Sequence, residues 1–392
     1  MQRGSFQWMK SMNKSIILNK IRKDGPISRA QIAKETELTP PTVGNIVKEL
    51  IEEQLIIEGK QGTSQGGRKP TMLVVNTSGF YIIGVDVGPK EIDFIISDLS
   101  GKIVDHAKTE IIADIDEKQF ITMLQDGIQS LLEHFSELEV IGIGIAMHGV
   151  VDAEAGQSLF APNLNLRNIP IKQLLEENFQ VVVKVENDAR SLALGEAWFG
   201  KHDAVKSMIA VNIGRGIGAG IIIDGKLYHG ENGIAGEIGH MTLDIHGEKC
   251  ECGSTGCLQT VASGPSLVNK AKQRLAQGEE SILDPSSLTG STIHEAAING
   301  DVLSSQLFIE TGTYIGIALT NLIHMFNPSK IVISGGVSKA GGFILDPIKE
   351  TVSERAITEQ AQQTQIVISE LGEYGSALGA IALILQDLFE PV

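Results

Sequence analysis

The feature that most constrains the fold of this chain is the segment 236–259, whose sequence is GEIGHMTLDIHGEKCECGSTGCLQ. It contains all three cysteines of the chain, in the pattern C-x-C-x4-C, and a histidine precedes them. A single zinc ion accepts three thiolates and one imidazole in a tetrahedron. Glycines inside the cysteine turn allow the backbone to close tightly around such an ion. The segment therefore predicts one zinc site, with the ligands His240, Cys250, Cys252 and Cys257.

This zinc site is expected to be structural, because four protein ligands complete the tetrahedron and leave no position for a substrate. Two alternatives remain open from the residues alone. The cysteines could be ordinary buried thiols beside an unrelated histidine, or His246 could replace His240, although His246 lies close to Cys250 in the sequence. Thiols arranged for a metal rather than for disulfides agree with a reducing cytoplasm.

Polar residues beside the predicted metal site indicate a binding pocket. Glu237 lies three residues before His240, and Gln259 lies two residues after Cys257. If His240 gives one ring nitrogen to the metal, the other nitrogen faces outward and the metal fixes its tautomer. Glu237, His240 and Gln259 would then line one side of a small polar pocket that suits a ligand rich in hydroxyl groups.

The run G-E-I-G-H followed by C-x-C-G-x-x-G-C-L resembles the signature of the ROK family, bacterial repressors and sugar kinases that share a two-lobed, actin-like sugar-kinase fold. The resemblance extends from about Ser11 to Leu388. It implies an α/β chain with an N-terminal winged helix-turn-helix domain (1–78), a first lobe (79–186) and a second lobe (187–375). The second lobe would hold the zinc site and a dimerisation surface, and a C-terminal helix (376–392) would complete the first lobe.

The charge of the chain is divided unevenly along its length. Residues 1–75 contain 12 Lys and Arg against 7 Asp and Glu, a net charge of +5, whereas residues 76–392 have a net charge of -21. Such asymmetry is typical of a chain in which one small domain binds nucleic acid. No segment approaches the length of apolar sequence needed to cross a membrane, and the N-terminus lacks the apolar core of a signal peptide, so the expected location is cytoplasmic.

The N-terminal segment predicts a helix-turn-helix. A first helix, 13–23, ends at Gly25-Pro26, a second has the sequence RAQIAKET, and a third opens with two prolines, which the first turn of a helix tolerates. The third helix would bury four apolar residues and present its polar face to DNA. The candidate DNA contacts on the helices and their caps are Ser28, Arg29, Thr39, Thr42, Asn45 and Lys48.

The segment that follows, LIIEGKQGTSQGGRKPTMLVVN, predicts two short strands and a glycine-rich turn that carries Arg68 and Lys69. These two cations are expected to neutralise phosphates as the wing of a winged helix. The pattern G-x-S-x-G-G-R-x-P also resembles the wing of ROK repressors, which ROK kinases without a DNA-binding domain lack. The alternative is a three-helix packing module without DNA contact, against which the basic wing and the local charge reversal count.

Two loops that hold ATP phosphates in ROK kinases are altered in this chain. The family form of the first is D-x-G-G-T-K, and residues 86–90 are D-V-G-P-K, in which Pro89 removes a backbone donor and stiffens the turn. The second is usually G-T-G-x-G, and Arg215 replaces its threonine. These departures from the family pattern imply that ATP binds poorly and that the protein is not an enzyme.

The sugar side of the family pattern is better kept. The motif V-E-N-D-A matches a pair in which asparagine holds a sugar hydroxyl and aspartate is the general base of the kinases. A carboxylate accepts a hydrogen bond from a hydroxyl whether or not phosphate is transferred. From the residues alone, the favoured explanation of Asp188 is an acid at a helix N-terminus, where negative charge is stabilised. Gln259 replaces the family's usual glutamate. The resemblance implies a sugar site formed by Asn163, Asn187, Asp188, Glu237, His240 and Gln259.

Together these features predict a sugar-responsive DNA-binding repressor of carbohydrate-utilisation genes, with xylose as the candidate sugar. A homodimer, or a dimer of dimers, would place recognition helices on a palindromic operator, and sugar bound between the lobes would alter operator affinity. Two alternatives stay open. One is an ATP-dependent sugar kinase with a fused DNA-binding head, in which Asp188 would be catalytic, and the other is a repressor controlled by a sugar-transporter protein.

Overall fold

The computed structural model describes residues 6–61, 69–135, 138–201 and 206–389. Its N-terminal domain is a winged helix-turn-helix, as predicted. A three-stranded antiparallel sheet in the order β1-β3-β2 packs beside three helices. The elements are α1 (Phe6–Asp24), β1 (Ile27–Ser28), α2 (Arg29–Thr36), α3 (Pro40–Glu52), β2 (Ile56–Gln61) and β3 (Thr71–Val75). Helix α1 begins earlier than predicted, and β1, which pairs with β3, was not predicted from the sequence.

The first lobe is built on a five-stranded sheet in the order β11-β7-β4-β5-β6. Strands β11, β7 and β4 are parallel, and β5 and β6 form an antiparallel edge. Helices α4 and α5 join the apolar core on one face of this sheet, and β8, β9 and β10 form a small separate sheet. The elements are β4 (Tyr81–Val87), β5 (Glu91–Asp98), β6 (Ile103–Glu110), α4 (Glu117–His134), β7 (Val140–Met147), β8 (Val150–Asp152), β9 (Gln157–Ala161), β10 (Leu166–Ile169), α5 (Ile171–Phe179) and β11 (Val182–Asn187).

The second lobe repeats this strand pattern. Its sheet has the order β14-β13-β12-β15-β16, in which β12, β15 and β16 are parallel and the hairpin of β13 and β14 forms the antiparallel edge. The elements are α6 (Asp188–Phe199), β12 (Ser207–Ile213), β13 (Ile217–Ile223), β14 (Lys226–Leu227), α7 (Leu258–Ala262), α8 (Gly264–Ala276), α9 (Gly290–Ile298), α10 (Val302–Phe326), β15 (Lys330–Ser334), α11 (Gly342–Arg355), α12 (Glu359–Gln362) and β16 (Gln365–Ile368).

The C-terminal helix α13 (Gly375–Phe389) returns to pack on the first-lobe sheet and on α6. Its contact with α6 is a close approach of two backbones, because a Cβ atom at Gly379 would overlap the carbonyl oxygen of Ser191. A Cβ at Gly144 of β7 would likewise overlap the carbonyl oxygen of Ala380. Glycines at these positions let α13 sit directly against both neighbours, and such close packing transmits displacement.

The DNA-binding domain is not an independent module. Its buried residues, including Ile17 and Ile21 of α1, form one apolar cluster with residues of α13 such as Ile381 and Leu385. The Arg22 guanidinium also lies over the ring of Trp198, at 4.1 Å from the ring centroid, at the C-terminal end of α6. Helices α6 and α13 therefore both end against the DNA-binding domain.

Helix α10 differs from expectation, since its 25 residues are long and apolar enough to cross a membrane by length and composition. The prediction that no segment meets this criterion was wrong. The physical reason is the position of α10 inside the second lobe, where it packs on α11 and contacts α7, α8 and α9. A helix that is covered on several sides is apolar around most of its circumference, so core packing accounts for the composition of α10.

Candidate functional site

A cleft of about 1270 Å³ lies between the two lobes. It is lined by polar side chains from both, and by the N-terminal ends of α6 and α13. Ligands of open α/β sheets bind at the carboxyl ends of parallel strands, where β4, β7 and β11 end here. All six residues of the predicted sugar site line this cleft, namely Asn163, Asn187, Asp188, Glu237, His240 and Gln259.

Asn187 orients its neighbour Asp188. Its Oδ1 accepts hydrogen bonds from the backbone N–H of Ala189 and Arg190 at the start of α6, and its Nδ2 donates to the Gly149 carbonyl and to Asp188 Oδ1, both at 2.9 Å. The amide thus has a protein partner for each donor and lone pair that it offers. In this conformation Asn187 is a helix cap that holds Asp188, whereas Asp188 keeps acceptor positions for a ligand.

Carboxyl groups of the cleft are shifted toward their protonated forms. Burial at the end of β4 raises the pKa of Asp86 well above its ordinary value, and the nearby charge of Asp188 raises it further. Desolvation by the walls of the cleft also raises the pKa of Glu237, against the opposing effects of His240 and Arg190. Both shifts favour the protonated form, in which a carboxyl donates one hydrogen bond and still accepts others.

His148 is a cleft residue that the family pattern does not predict. It follows β7, its backbone N–H donates to the Val87 carbonyl, and its ring lines the cleft. Asn163 Nδ2 donates to His148 Nε2 at 2.7 Å. The position of a histidine at the carboxyl end of a buried strand is the sequence signal that indicates this role.

The structure brings His240, Cys250, Cys252 and Cys257 together, with their donor atoms within 4.8 Å of one another. The His240 Nδ1 atom lies 3.7 Å from Cys250 Sγ, and the sulfurs of Cys252 and Cys257 are also 3.7 Å apart. A tetrahedral ion with metal–sulfur bonds of about 2.3 Å requires sulfurs about 3.8 Å apart. These two separations match this geometry, so the four residues are placed as a metal ion would require.

The competing ligand, His246, is not part of the metal cluster. Its backbone N–H binds the Asp244 side chain in an exposed turn. Gly256 has a φ of +70°, and a Cβ there would overlap the Asp244 carbonyl oxygen, so a glycine is required where the cysteine turn closes. Gln259 Nε2 donates to Cys250 Sγ at 3.4 Å, so a residue of the predicted sugar site is bonded directly to the metal cluster.

In the DNA-binding domain, α3 buries the four apolar residues expected of a recognition helix and leaves Asn45 and Lys48 exposed. Two predicted DNA contacts are helix caps, because the hydroxyls of Ser28 and Thr39 accept from backbone N–H groups of α2 and α3. The remaining predicted contacts lie at the surface or partly buried, and they are Arg29, Thr42 and Lys69. Arg68 lies outside the described residues.

Some predicted DNA contacts also have partners within the protein. Arg29 forms an ion pair with Glu58 of β2 at 2.8 Å, and the Thr42 hydroxyl lies 2.8 Å from that of Thr39. Lys48 pairs with Glu52 one turn along the same helix at 3.7 Å. Exposed pairs of this kind contribute about 0–1 kcal/mol, so they leave these side chains able to exchange partners.

Comparison with known proteins decides the family. The ROK family model matches residues 82–387, and a model described as winged helix-turn-helix DNA-binding matches residues 15–57. The chain belongs to the ROK family. Among its relatives, the xylose repressor of Caldicellulosiruptor bescii is 34% identical over 391 residues and covers 98% of each chain. The DNA-binding transcriptional dual regulator NagC of Escherichia coli is 35% identical over 393 residues, covering 100% of this chain and 96% of its own.

Two solved structures of ROK proteins align with different shares of this chain. A ROK family transcriptional regulator, described as a homolog of the E. coli MLC protein, aligns with a TM-score of 0.87 at 30% identity over 98% of this chain and 97% of its own. A ROK family glucokinase from Streptomyces griseus, in complex with glucose and AMPPNP, aligns with a TM-score of 0.70 at 33% identity, covering 77% of this chain and 98% of its own. The regulator matches nearly the whole chain, and the glucokinase matches about three quarters of it.

In this ROK protein, each of the two loops whose sequence departs from the kinase phosphate-loop pattern contains an internal backbone hydrogen bond. The N–H of Gly88 donates to the Glu91 carbonyl, and the N–H of Gly214 donates to the Gly216 carbonyl. Pro89 has no N–H to offer. Arg215 is exposed beside Gly214 and lines the cleft. Three backbone positions in these loops, Gly88, Pro89 and Gly214, therefore have no free N–H to offer a phosphate.

Proposed function

We propose that this ROK protein is a DNA-binding transcriptional repressor of carbohydrate-utilisation genes whose operator affinity falls when a sugar binds between its lobes. The observation that carries the proposal is one arrangement: a cleft lined by Asp188, Glu237 and His240 lies in a chain that also has a winged helix-turn-helix. Relatives named as repressors match this chain over nearly its whole length, which supports the proposal. The xylose repressor among them makes xylose the first candidate sugar.

The route from sugar to DNA is proposed to run along α6 and α13. The N-terminal ends of both helices line the cleft, where Asp188 opens α6 and Gly375 opens α13. Their C-terminal ends contact the DNA-binding domain through Trp198 and Phe389, both of which lie near the Arg22 guanidinium. A ligand that binds one position of the helix pair more tightly than another shifts the DNA-binding domain between two positions.

The metal is proposed to be zinc, because three cysteines and one histidine form a set of donors that zinc prefers in closed tetrahedral sites. When bound, it supplies a rigid cross-link and no chemistry of its own. Residues of the chain make the contacts at the cleft. His240 offers Nδ1 to the cluster, so its Nε2 remains for a ligand hydroxyl, and Gln259 is held by Cys250. Without the ion, both cleft residues would lose their fixed positions.

The assembly is proposed to be a cytoplasmic homodimer on a palindromic operator. A two-fold dimer places its recognition helices in successive major grooves about 34 Å apart, so operator symmetry mirrors protein symmetry. The acidic body would stay clear of DNA phosphates while the basic N-terminal domain approaches them.

Sugar phosphorylation is the alternative function, and retention of Asp188 together with the similarity to a glucokinase favours it. Release of ADP from ATP, measured across common pentoses and hexoses, is expected to stay at the level seen without sugar, because Gly88, Pro89 and Gly214 offer no free N–H to position the phosphates. Asp188→Ala is expected to leave this background unchanged. Sugar-dependent ADP release that Asp188→Ala abolishes would show that the protein is a kinase.

A further inference from the structure

We infer that a buried ion network beneath the cleft, formed by Glu186, Arg190 and His229, positions the loop that carries Glu237 and thereby sets the affinity for the cleft ligand. This inference rests on the proposed function, since it concerns the same cleft. None of the three side chains belongs to the lining of the cleft among the described residues. They lie behind Asn187 and Asp188, which the family pattern already assigns to the sugar site.

The two oxygens of Glu186 bind different parts of the molecule. Arg190 Nε, on α6, donates to Oε1 at 2.7 Å, and the backbone N–H of Asn187 donates to the same oxygen at 2.7 Å. His229 Nε2, in the second lobe, donates to Oε2 at 2.6 Å. Glu186 is the penultimate residue of β11 in the first lobe, so one carboxylate ties the two lobes together two residues before Asp188.

The loop held in this way consists of residues 228–237, and we call it the Glu237 loop. Besides the bond from His229, the loop accepts a hydrogen bond at the Gly233 carbonyl from Arg190 Nη1, at 2.6 Å. Its ends are joined to each other and to the sheet, because Ala235 N donates to the His229 carbonyl and Ala219 N of β13 donates to the Gly236 carbonyl. The cleft residue Glu237 is the next residue in the sequence after these two backbone hydrogen bonds.

The network is poorly suited to stabilising the fold. Glu186 and Arg190 are only 1% and 2% exposed, and Arg190 Nη2 has no hydrogen-bond partner among the described residues. Desolvation of buried charges offsets most of their attraction, and apolar residues of equal volume often stabilise a protein as well or better. A network with this desolvation cost fits a role in fixing the positions of the groups that it binds. Hydrogen bonds between charged groups are directional, and apolar packing cannot position groups with the same directionality.

The electrostatics agree with a positioning role. Burial would raise the pKa of Glu186, but the hydrogen bond from His229 and the charge of Arg190 lower the pKa below its ordinary value. Glu186 therefore remains an anion that accepts from both Arg190 and His229. Arg190 also opposes the rise in the pKa of Glu237 that burial causes, so the network acts on the cleft carboxylate through its charge as well as through the loop.

The test uses His229, because its side chain is 42% exposed and its removal leaves no large cavity. His229→Ala removes the link between the lobes, whereas His229→Gln keeps a neutral donor. His134→Ala is the matched control, since His134 is another exposed histidine beside a carboxylate, 3.7 Å from Asp105 in the first lobe. The probes are D-xylose, D-glucose and N-acetylglucosamine, titrated calorimetrically into the full-length protein, together with hydrogen exchange of the sugar-free protein.

His229→Ala is expected to weaken binding of the sugar that the wild type binds by about 10-fold or more, the effect of losing one hydrogen bond to a charged group. His229→Gln should recover most of that loss, and His134→Ala should bind as the wild type does. Without sugar, amides of the Glu237 loop should exchange about 10-fold faster in His229→Ala, and the thermal midpoint should stay close to that of the wild type.

Wild-type affinity and unchanged exchange in His229→Ala would overturn the inference. So would a fall in thermal midpoint that accompanies the loss of affinity and that His229→Gln fails to repair, because that pattern marks a purely structural role. If the wild type binds none of the three sugars, the proposed function is contradicted. The exchange measurement still decides the role of the network in that case, because it needs no ligand.

Discussion

Purified Cys252→Ser protein is expected to contain no zinc and to bind its operator without responding to sugar. Cys252 is exposed, so serine replaces it without disturbing the core, and the loss falls on the metal cluster. Structural zinc contributes about 10–16 kcal/mol to the folding of small zinc-finger peptides at neutral pH. In this larger chain we expect the loss of zinc to disturb the structure only locally. The loss should release His240 and Gln259, which the cluster holds at the cleft.

Elemental analysis of the purified proteins, paired with operator titrations with and without sugar, measures both effects. His246→Ala provides the matched control, because His246 lies in the same segment but outside the cluster. It should retain one zinc ion per chain and a normal response. Wild-type protein without zinc, or a serine variant that responds normally to sugar, would contradict the metal assignment.

Asn45→Ala is expected to weaken operator binding by about 1–3 kcal/mol while leaving binding to random DNA nearly unchanged. Asn45 is exposed on α3, on the opposite side from the buried Val43, Ile46 and Val47. An amide side chain there can reach a base edge, whereas the exposed Lys69 in the wing is placed to meet phosphate. Lys69→Ala should weaken both kinds of DNA equally and lower the salt slope by about one unit.

Binding measured at several salt concentrations, on operator and on random duplexes, separates these two roles. Point substitutions are preferable to removal of the whole N-terminal domain, because that domain shares a core with α13, and its removal would expose Ile381 and Leu385. An Asn45 variant that loses operator and random binding to the same degree would show that α3 does not read the sequence.

Features that depend on neighbours in the sequence could be predicted from it. The metal ligands lie within one short segment, and their spacing alone brings three sulfurs around one point. The helix boundaries of the DNA-binding domain follow from local caps, since Ser28 and Thr39 bond backbone groups three residues away. A closed metal site and a capped helix are determined by short-range geometry.

Features that depend on how the lobes pack could not be predicted in this way. His229 and Glu186 are 43 residues apart in the sequence, as are Arg190 and Gly233, and no local pattern marks either pair. The family pattern assigned Asn187 to the ligand, but its bonds to Gly149 and Asp188 depend on the position of β7 beside β11. A buried core helix and a membrane-spanning helix can meet the same criterion of length and apolar composition, so the sequence could not show that α10 belongs to the core.

Control of DNA binding by a sugar is tested most directly by measuring operator affinity while common pentoses and hexoses are added in turn to the wild type and to Asp188→Asn. One sugar is expected to weaken operator binding by wild-type protein by about 10-fold or more, a coupling free energy of ordinary size for a regulated repressor. Asp188→Asn should bind the operator with wild-type affinity in the absence of sugar and should lose the response, because its amide cannot replace a carboxylate that accepts hydrogen bonds from sugar hydroxyls. Operator affinity that no sugar changes, or an Asp188→Asn variant that responds as the wild type does, would contradict the claim that a sugar between the lobes controls DNA binding.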